Sequence, residues 1–107
     1  MNHRELRMES LITEELGQLL VRDLDLEVGV LATISYVDVS SDLSRAEVGI
    51  SVIPSDRSDE VMKVLVKEQG EFQHKLNRKL NIKPMPRIEF KYDSGLEHAA
   101  NIERLLK

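Results

Sequence analysis

The chain has 107 residues, 41% of them hydrophobic and 32% charged, a size and balance suited to one folded domain, residues 1–107, around one core. It holds no cysteine, which excludes disulfides, thiolate metal sites and thiol nucleophiles, and no apolar run approaches the ~20 residues of a bilayer span. The opening Met1-Asn2-His3-Arg4-Glu5 lacks the apolar core of an export signal, so the expectation is a cytoplasmic chain with no membrane partner.

Arg4 to about Arg22 predicts an amphipathic helix: Met8, Ile12, Leu16 and Leu19/Leu20 recur at helical spacing, widened by Leu11. Glu5, Glu9, Ser10, Thr13, Glu14 and Gln18 make the opposite face, and Gly17 offers a point of close packing. Asp23-Leu24-Asp25 and Gly29 mark an irregular link. Ala32 to Val39 reads as a strand. Ala46 to Ile53 alternates, with Ala46, Val48, Ile50 and Val52 on one face and Glu47, Gly49 and Ser51 on the other. The connector Ser40-Ser41-Asp42-Leu43-Ser44 suits an antiparallel hairpin in which Asp42 bonds nearby backbone groups. Pro54 ends the second strand because it has no ladder donor.

Ser58, Asp59 and Glu60 form a helix N-terminus. Val61, Val64 and Leu65 give that helix its core face. The pattern stumbles at Lys67-Glu68-Gln69-Gly70 and resumes with Phe72, Leu76 and Leu80, which predicts two helical pieces meeting at a kink near Gly70. Pro84 and Pro86 set up an extended strand, Arg87 to Tyr92, where Ile88, Phe90 and Tyr92 alternate with Arg87, Glu89 and Lys91. Asp93-Ser94 can cap a last helix with Leu96, Ala99/Ala100, Ile102 or Glu103, and Leu105/Leu106 as its buried side. The class is α+β in the order α-β-β-α-(kink)-α-β-α, a three-stranded sheet with helices on one face. No edge strand is obviously long, flat and exposed, and a monomer is expected.

The net charge of −4 hides an asymmetry. Residues 63–91 hold eight basic and three acidic residues, a net +5, which leaves −9 for the rest. Lys75, Arg78 and Lys79 stand at i, i+3 and i+4, within about 100° of helical arc. Lys83 extends the row, and Arg87 and Lys91 share one face of the third strand. Such cations suit phosphate contact with little base preference; a merely solvated helix face is the alternative. Arg4 and Arg7, one turn apart, either extend that surface or pair with Glu5, Glu9 or Glu14. His74 could assist a phosphate contact near the kink.

Other chemistry lacks its residues. His3, His74 and His98 have no metal-ligand spacing, and Glu97-His98 is not part of a His-Glu-x-x-His box. Ser40, Ser41 and Asp42 have no activated base beside them. The five glycines form no Walker or dinucleotide loop, so no cofactor is expected. Of the four aromatics, Phe72 and Phe90 are core candidates, and Tyr36 and Tyr92 keep their hydroxyls at the surface, so no interleaved base-stacking set is visible.

Four strings in order resemble bacterial ribosome-binding factor A, a KH-like family of type II topology. They are Arg4-x-x-Arg7-Met8 with Leu11-Ile12-x-x-Glu15-Leu16; Val37-Asp38-Val39-Ser40-x-Asp42-Leu43-x-x-Ala46-x-Val48; Leu80-x-Ile82-Lys83-x-x-Pro86-x-Ile88-x-Phe90-x-x-Asp93; and Ile102-x-x-Leu105-Leu106. The family's Ala-x-Gly kink aligns with Glu68-Gln69-Gly70, and Gln73 stands where members often carry arginine. The resemblance implies a non-enzymatic assembly factor that binds free or immature 30S subunits and 16S rRNA. Its role would be late maturation and 5′-end processing, above all in the cold, with ribosomal proteins and assembly GTPases as further partners. The RNA-facing residues it implies, with the basic pattern, are Arg4, Arg7, Lys67, Gly70, His74, Lys75, Arg78, Lys79, Lys83, Arg87 and Lys91. A protein-interaction module of the same fold is the alternative.

Overall fold

The computed structural model describes residues 3–95 of the chain. Helix α1 spans His3–Asp23, its stripe of Met8, Ile12, Leu16, Leu19 and Leu20 fully turned into the core. Glu5 heads that same stripe, one turn before Met8, and is only 8% exposed, so it does not join the polar face. Glu9 also leaves that face: its Oε1 accepts a hydrogen bond from Val39 N–H at 3.1 Å, tying α1 to the sheet. Gly17 is not a packing point, since a Cβ there would meet nothing within 4 Å.

Strands β1 (Leu31–Val39) and β2 (Arg45–Ile53) form the antiparallel hairpin, and β3 (Arg87–Tyr92) pairs in parallel with β2, giving the order β1-β2-β3. Ala46, Val48, Ile50 and Val52 of the central strand face the helices and are buried. In β1 the alternation changes phase, because pairing passes from Ile34↔Ile50 to Tyr36↔Gly49 and leaves Ser35 as an extra residue. The bulge lets Ala32 and Ile34 before it, and Val37 and Val39 after it, all meet the core. It also turns Tyr36 onto the open face of the sheet. There the ring lies on Gly49, where a Cβ would stand 2.0 Å from Tyr36 Cε1, and the hydroxyl donates to Glu47 Oε2 at 2.7 Å.

After Pro54 a 3-10 turn, Ser55–Arg57, feeds directly into α2 (Ser58–Leu80). Ser58 is therefore the first helical residue and not a side-chain cap, although Asp59 and Glu60 still favour the positive end of the helix. The two expected helical pieces are one: α2 runs without interruption as an α-helix of 23 residues through Gly70. Val61, Leu65, Phe72 and Leu76 are separated by four, seven and four residues, close to whole turns, so the buried stripe passes Gly70 in phase. A glycine in a helix interior costs about 1 kcal/mol, too little to break a helix anchored on both sides. A Cβ at Gly70 would meet nothing within 4 Å. Gly70→Ala is thus expected to raise stability by about 0.5–1 kcal/mol in urea denaturation, and a loss would show that the backbone there needs glycine.

The gap in the apolar pattern is filled by amides. On the outer edge of β3, Gln73 Oε1 accepts from Ile88 N–H at 2.7 Å, Gln73 Nε2 donates to Pro86 O at 3.1 Å, and Gln69 Nε2 donates to Ile88 O. Helix α2 ends at Asn81, left-handed at φ 48°, whose N–H bonds Asn77 O at 2.9 Å. Both helices cover one face of the sheet, α1 over β1 and α2 over β3. Phe72 and Phe90 meet edge to face at 6.1 Å inside that core. The expected last helix, Leu96 to Leu106, lies outside the described residues.

Candidate nucleic-acid interface

The hairpin loop is built around two side chains. Ser40 Oγ accepts from the N–H groups of Ser44 and Arg45 at 3.1 and 3.0 Å, and Asp42 Oδ1 accepts from Ser44 N–H at 3.1 Å and from the hydroxyls of Ser44 and Ser40. These bonds hold Leu43 at φ 60°, a strained position for a side-chain-bearing residue, while burying its isobutyl group to 8% exposure. Leu43 thereby becomes one wall of a hollow of about 360 Å³ shared by α1, the hairpin loop and the approach to β3. Met8, Leu11, Ile82 and Pro84 complete the apolar lining, and Arg4, Arg7 and Lys83 stand around it.

The expected site residues divide into four groups. Arg4, Arg7 and Lys83 converge on that hollow, and none forms an ion pair with a carboxylate among the described residues, so the pairing with Glu5, Glu9 or Glu14 does not occur there. Lys67, His74 and Arg78 lie exposed along the outer ridge of α2, with Gly70 beside them. Lys75 and Lys79 turn toward α1 instead. Lys75 Nζ is 3.0 Å from Asp23 Oδ2, and Lys79 Nζ is 3.6 Å from Glu15 Oε2, a buried oxygen with no hydrogen bond of its own. On the third strand, Arg87 borders a groove with Gln69, Gly70, Gln73 and Asn77, whereas Lys91 pairs with Glu47 at 3.4 Å on the sheet's open face. Lys75, Lys79 and Lys91 are thus neutralised in place, and the eleven residues do not form one surface.

Hydrogen bonds from Arg22 and then Lys75 lower the Asp23 carboxyl from an ordinary 3.8 to about 2. The Ser44 and Ser40 hydroxyls do the same for Asp42, also to about 2. A depressed folded-state pKa contributes stability that is present above the unfolded value and lost as pH falls through the folded one. Both contributions therefore persist at pH 4 and fade between there and pH 2. Carboxyl-carbon NMR titration is expected to give midpoints near 2 for both residues; an ordinary midpoint for Asp42 would mean that the loop network does not hold in solution.

Among the described residues no group of three or more His, Cys, Asp or Glu is placed to hold a metal ion, and no helix is long and apolar enough to cross a membrane. Pattern reading missed the wall formed by Leu43, Ile82 and Pro84. One signal was present: a lone leucine inside an otherwise polar loop.

A family model described as Ribosome-binding factor A matches residues 4–106. The Ribosome-binding factor A of Desulforamulus reducens is 33% identical over 108 residues, spanning 99% of this chain and 89% of that one. The crystal structure of ribosome-binding factor A from Thermus thermophilus aligns with a TM-score of 0.71 over 82% of this chain and 94% of that one. At 19% identity this likeness is one of fold, consistent with the KH-like arrangement that the family resemblance implies. A homology model of the Thermus thermophilus protein, fitted into the cryo-EM map of a 30S complex, aligns with a TM-score of 0.67 at 17% identity, over 90% of this chain and 98% of that one.

Proposed function

The chain belongs to the ribosome-binding factor A family, and from that premise we propose that it binds free or immature 30S subunits through 16S rRNA and promotes their late maturation. The observation that carries the reading is the family match across residues 4–106, supported by the Thermus relative's place in a 30S complex. The charge arrangement is compatible with it. Arg4, Arg7 and Lys83, joined by Lys67, His74 and Arg78 along α2 and by Arg87, supply cations for phosphates without demanding a base sequence. Lys75, Lys79 and Lys91 join only by exchanging a carboxylate for a phosphate, and Gly70 leaves the ridge low between Lys67 and His74. The protein does no covalent chemistry in this reading. It holds one arrangement of the maturing RNA by binding it more tightly than the finished one, so precursor 16S rRNA becomes open to 5′-end processing and the factor leaves before translation. It acts as a cytoplasmic monomer alongside ribosomal proteins and assembly GTPases, with the greatest demand in the cold.

A second reading, a protein-interaction module of the same fold, is favoured by the three neutralised lysines. Sedimentation separates the two. The protein is expected to co-migrate with purified 30S subunits and not with 70S ribosomes. Its affinity should fall with salt at a log–log slope of about −3 to −4, as for four or so neutralised phosphates. A flat salt response would favour the second reading, and no co-migration in low salt would remove the first.

A further inference from the structure

The hollow beside Leu11 differs from the rest of the charged surface, because its cations surround an apolar floor and have no described carboxylate partner. The nearest acid in the loop, Asp42, spends its Oδ1 on Ser40 and Ser44. At about 360 Å³ the space is at the small end of the about 300–1,000 Å³ typical of ligand pockets. We propose that this hollow takes one unpaired RNA nucleotide, its base lying on Leu11, Leu43 and Ile82 and its phosphates held by Arg4, Arg7 and Lys83.

Each half of the site argues for that ligand. Phosphates alone need no apolar floor, and paired RNA presents phosphates but no free base faces. An unpaired nucleotide has both an apolar face to bury and a charged group a few ångströms away. Guanidinium planes also stack on bases, so Arg4 and Arg7 can serve either end. The three contributing segments come from different parts of the chain and are fixed by separate devices: α1 by its core stripe, Leu43 by the Ser40–Asp42–Ser44 network, and Ile82 by the end of α2 at Asn81. The receptor is therefore preformed. It marks a point where RNA is single-stranded or a base is turned out, and so supplies a preference for immature, less paired RNA.

This inference rests on the binding of 30S subunits proposed above, and the experiment keeps the two apart. Affinity for purified 30S subunits is measured across a KCl series for the natural protein and for Leu11→Gln, Ile82→Gln and Arg7→Ala. Losing a base contact is expected to weaken binding about tenfold at every salt concentration with the slope unchanged, so both glutamine variants should behave in that way. Arg7→Ala should flatten the slope by about one. Irradiation of the natural complex at 254 nm, followed by mass spectrometry, is expected to place nucleotide adducts within residues 4–11, 43 or 82–84. Undiminished affinity in both glutamine variants overturns the proposal, as do adducts confined to other segments or a ribosomal protein crosslinked at this hollow. If the natural protein fails to bind subunits at all, it is the parent reading that falls.

Discussion

Replacing Arg4, Arg7 and Lys83 together by glutamate is expected to lower affinity for isolated 30S subunits by about 100-fold or more near 0.1 M salt. Three lost phosphate contacts should also flatten the log–log salt dependence by about two to three. None of the three side chains has an ion-pair partner among the described residues, so the thermal midpoint should move little. Reversing Lys75 and Lys79 makes the opposite test. It sets new carboxylates against Asp23 and Glu15, so it should disturb the packing of α1 on α2 more than it disturbs binding. Fluorescence anisotropy with labelled protein, beside thermal melts, reads both quantities. Should the α2 variant lose binding at an unchanged melting point while the triple variant keeps it, the interface would lie on α2 and not at the hollow.

The double variant Gln69→Ala, Gln73→Ala should lose about 2–4 kcal/mol of stability, a drop of about 10 °C or more in the thermal midpoint. Four hydrogen bonds disappear at once: three leave Ile88 N–H, Ile88 O and Pro86 O without their side-chain partners at a half-buried edge, and the fourth is the exposed Gln73–Asn77 contact. Gln73→Glu keeps an acceptor for Ile88 N–H but brings a negative oxygen to Pro86 O, so it should fall between. A double variant that melts with the natural protein would mean that water serves that edge equally well.

Local pattern carried most of the architecture. Period-two alternation located β2 and β3, and β-branched and aromatic composition located β1, each to within a residue at each end, and the apolar stripe did the same for α1. The misreadings have physical causes. Gly70 looked like a break because Lys67-Glu68-Gln69-Gly70 interrupts the apolar pattern, yet the amides of Gln69 and of Gln73 one turn on are used against a strand edge that forms only once the chain has folded. Gln73 is therefore part of the scaffold here. Glu5 and Glu9 were read onto the face opposite the apolar stripe, but Glu5 is buried and Glu9 meets the backbone of Val39, thirty residues away. Spacing did place Lys75, Arg78 and Lys79 on one arc of helix. It could not show that Asp23 and Glu15, far away in sequence, would meet two of them. The cations that remain unpaired at the hollow are gathered from two segments, with a third supplying Leu43, and no local window contains all of them.

The extra residue in β1 bears on what this molecule does when many copies are present. From Leu31 to Val37 that strand is uncharged, and it borders the sheet on the side opposite the amide-guarded β3. A stretch of that composition invites another chain to lie along it. Ser35 shifts the spacing of the outward N–H and C=O groups partway along, so an incoming straight strand that matches the bonds on one side of it falls out of step on the other. The same irregularity that brings Val37 and Val39 into the core thus also makes this border a poor template for fibre growth.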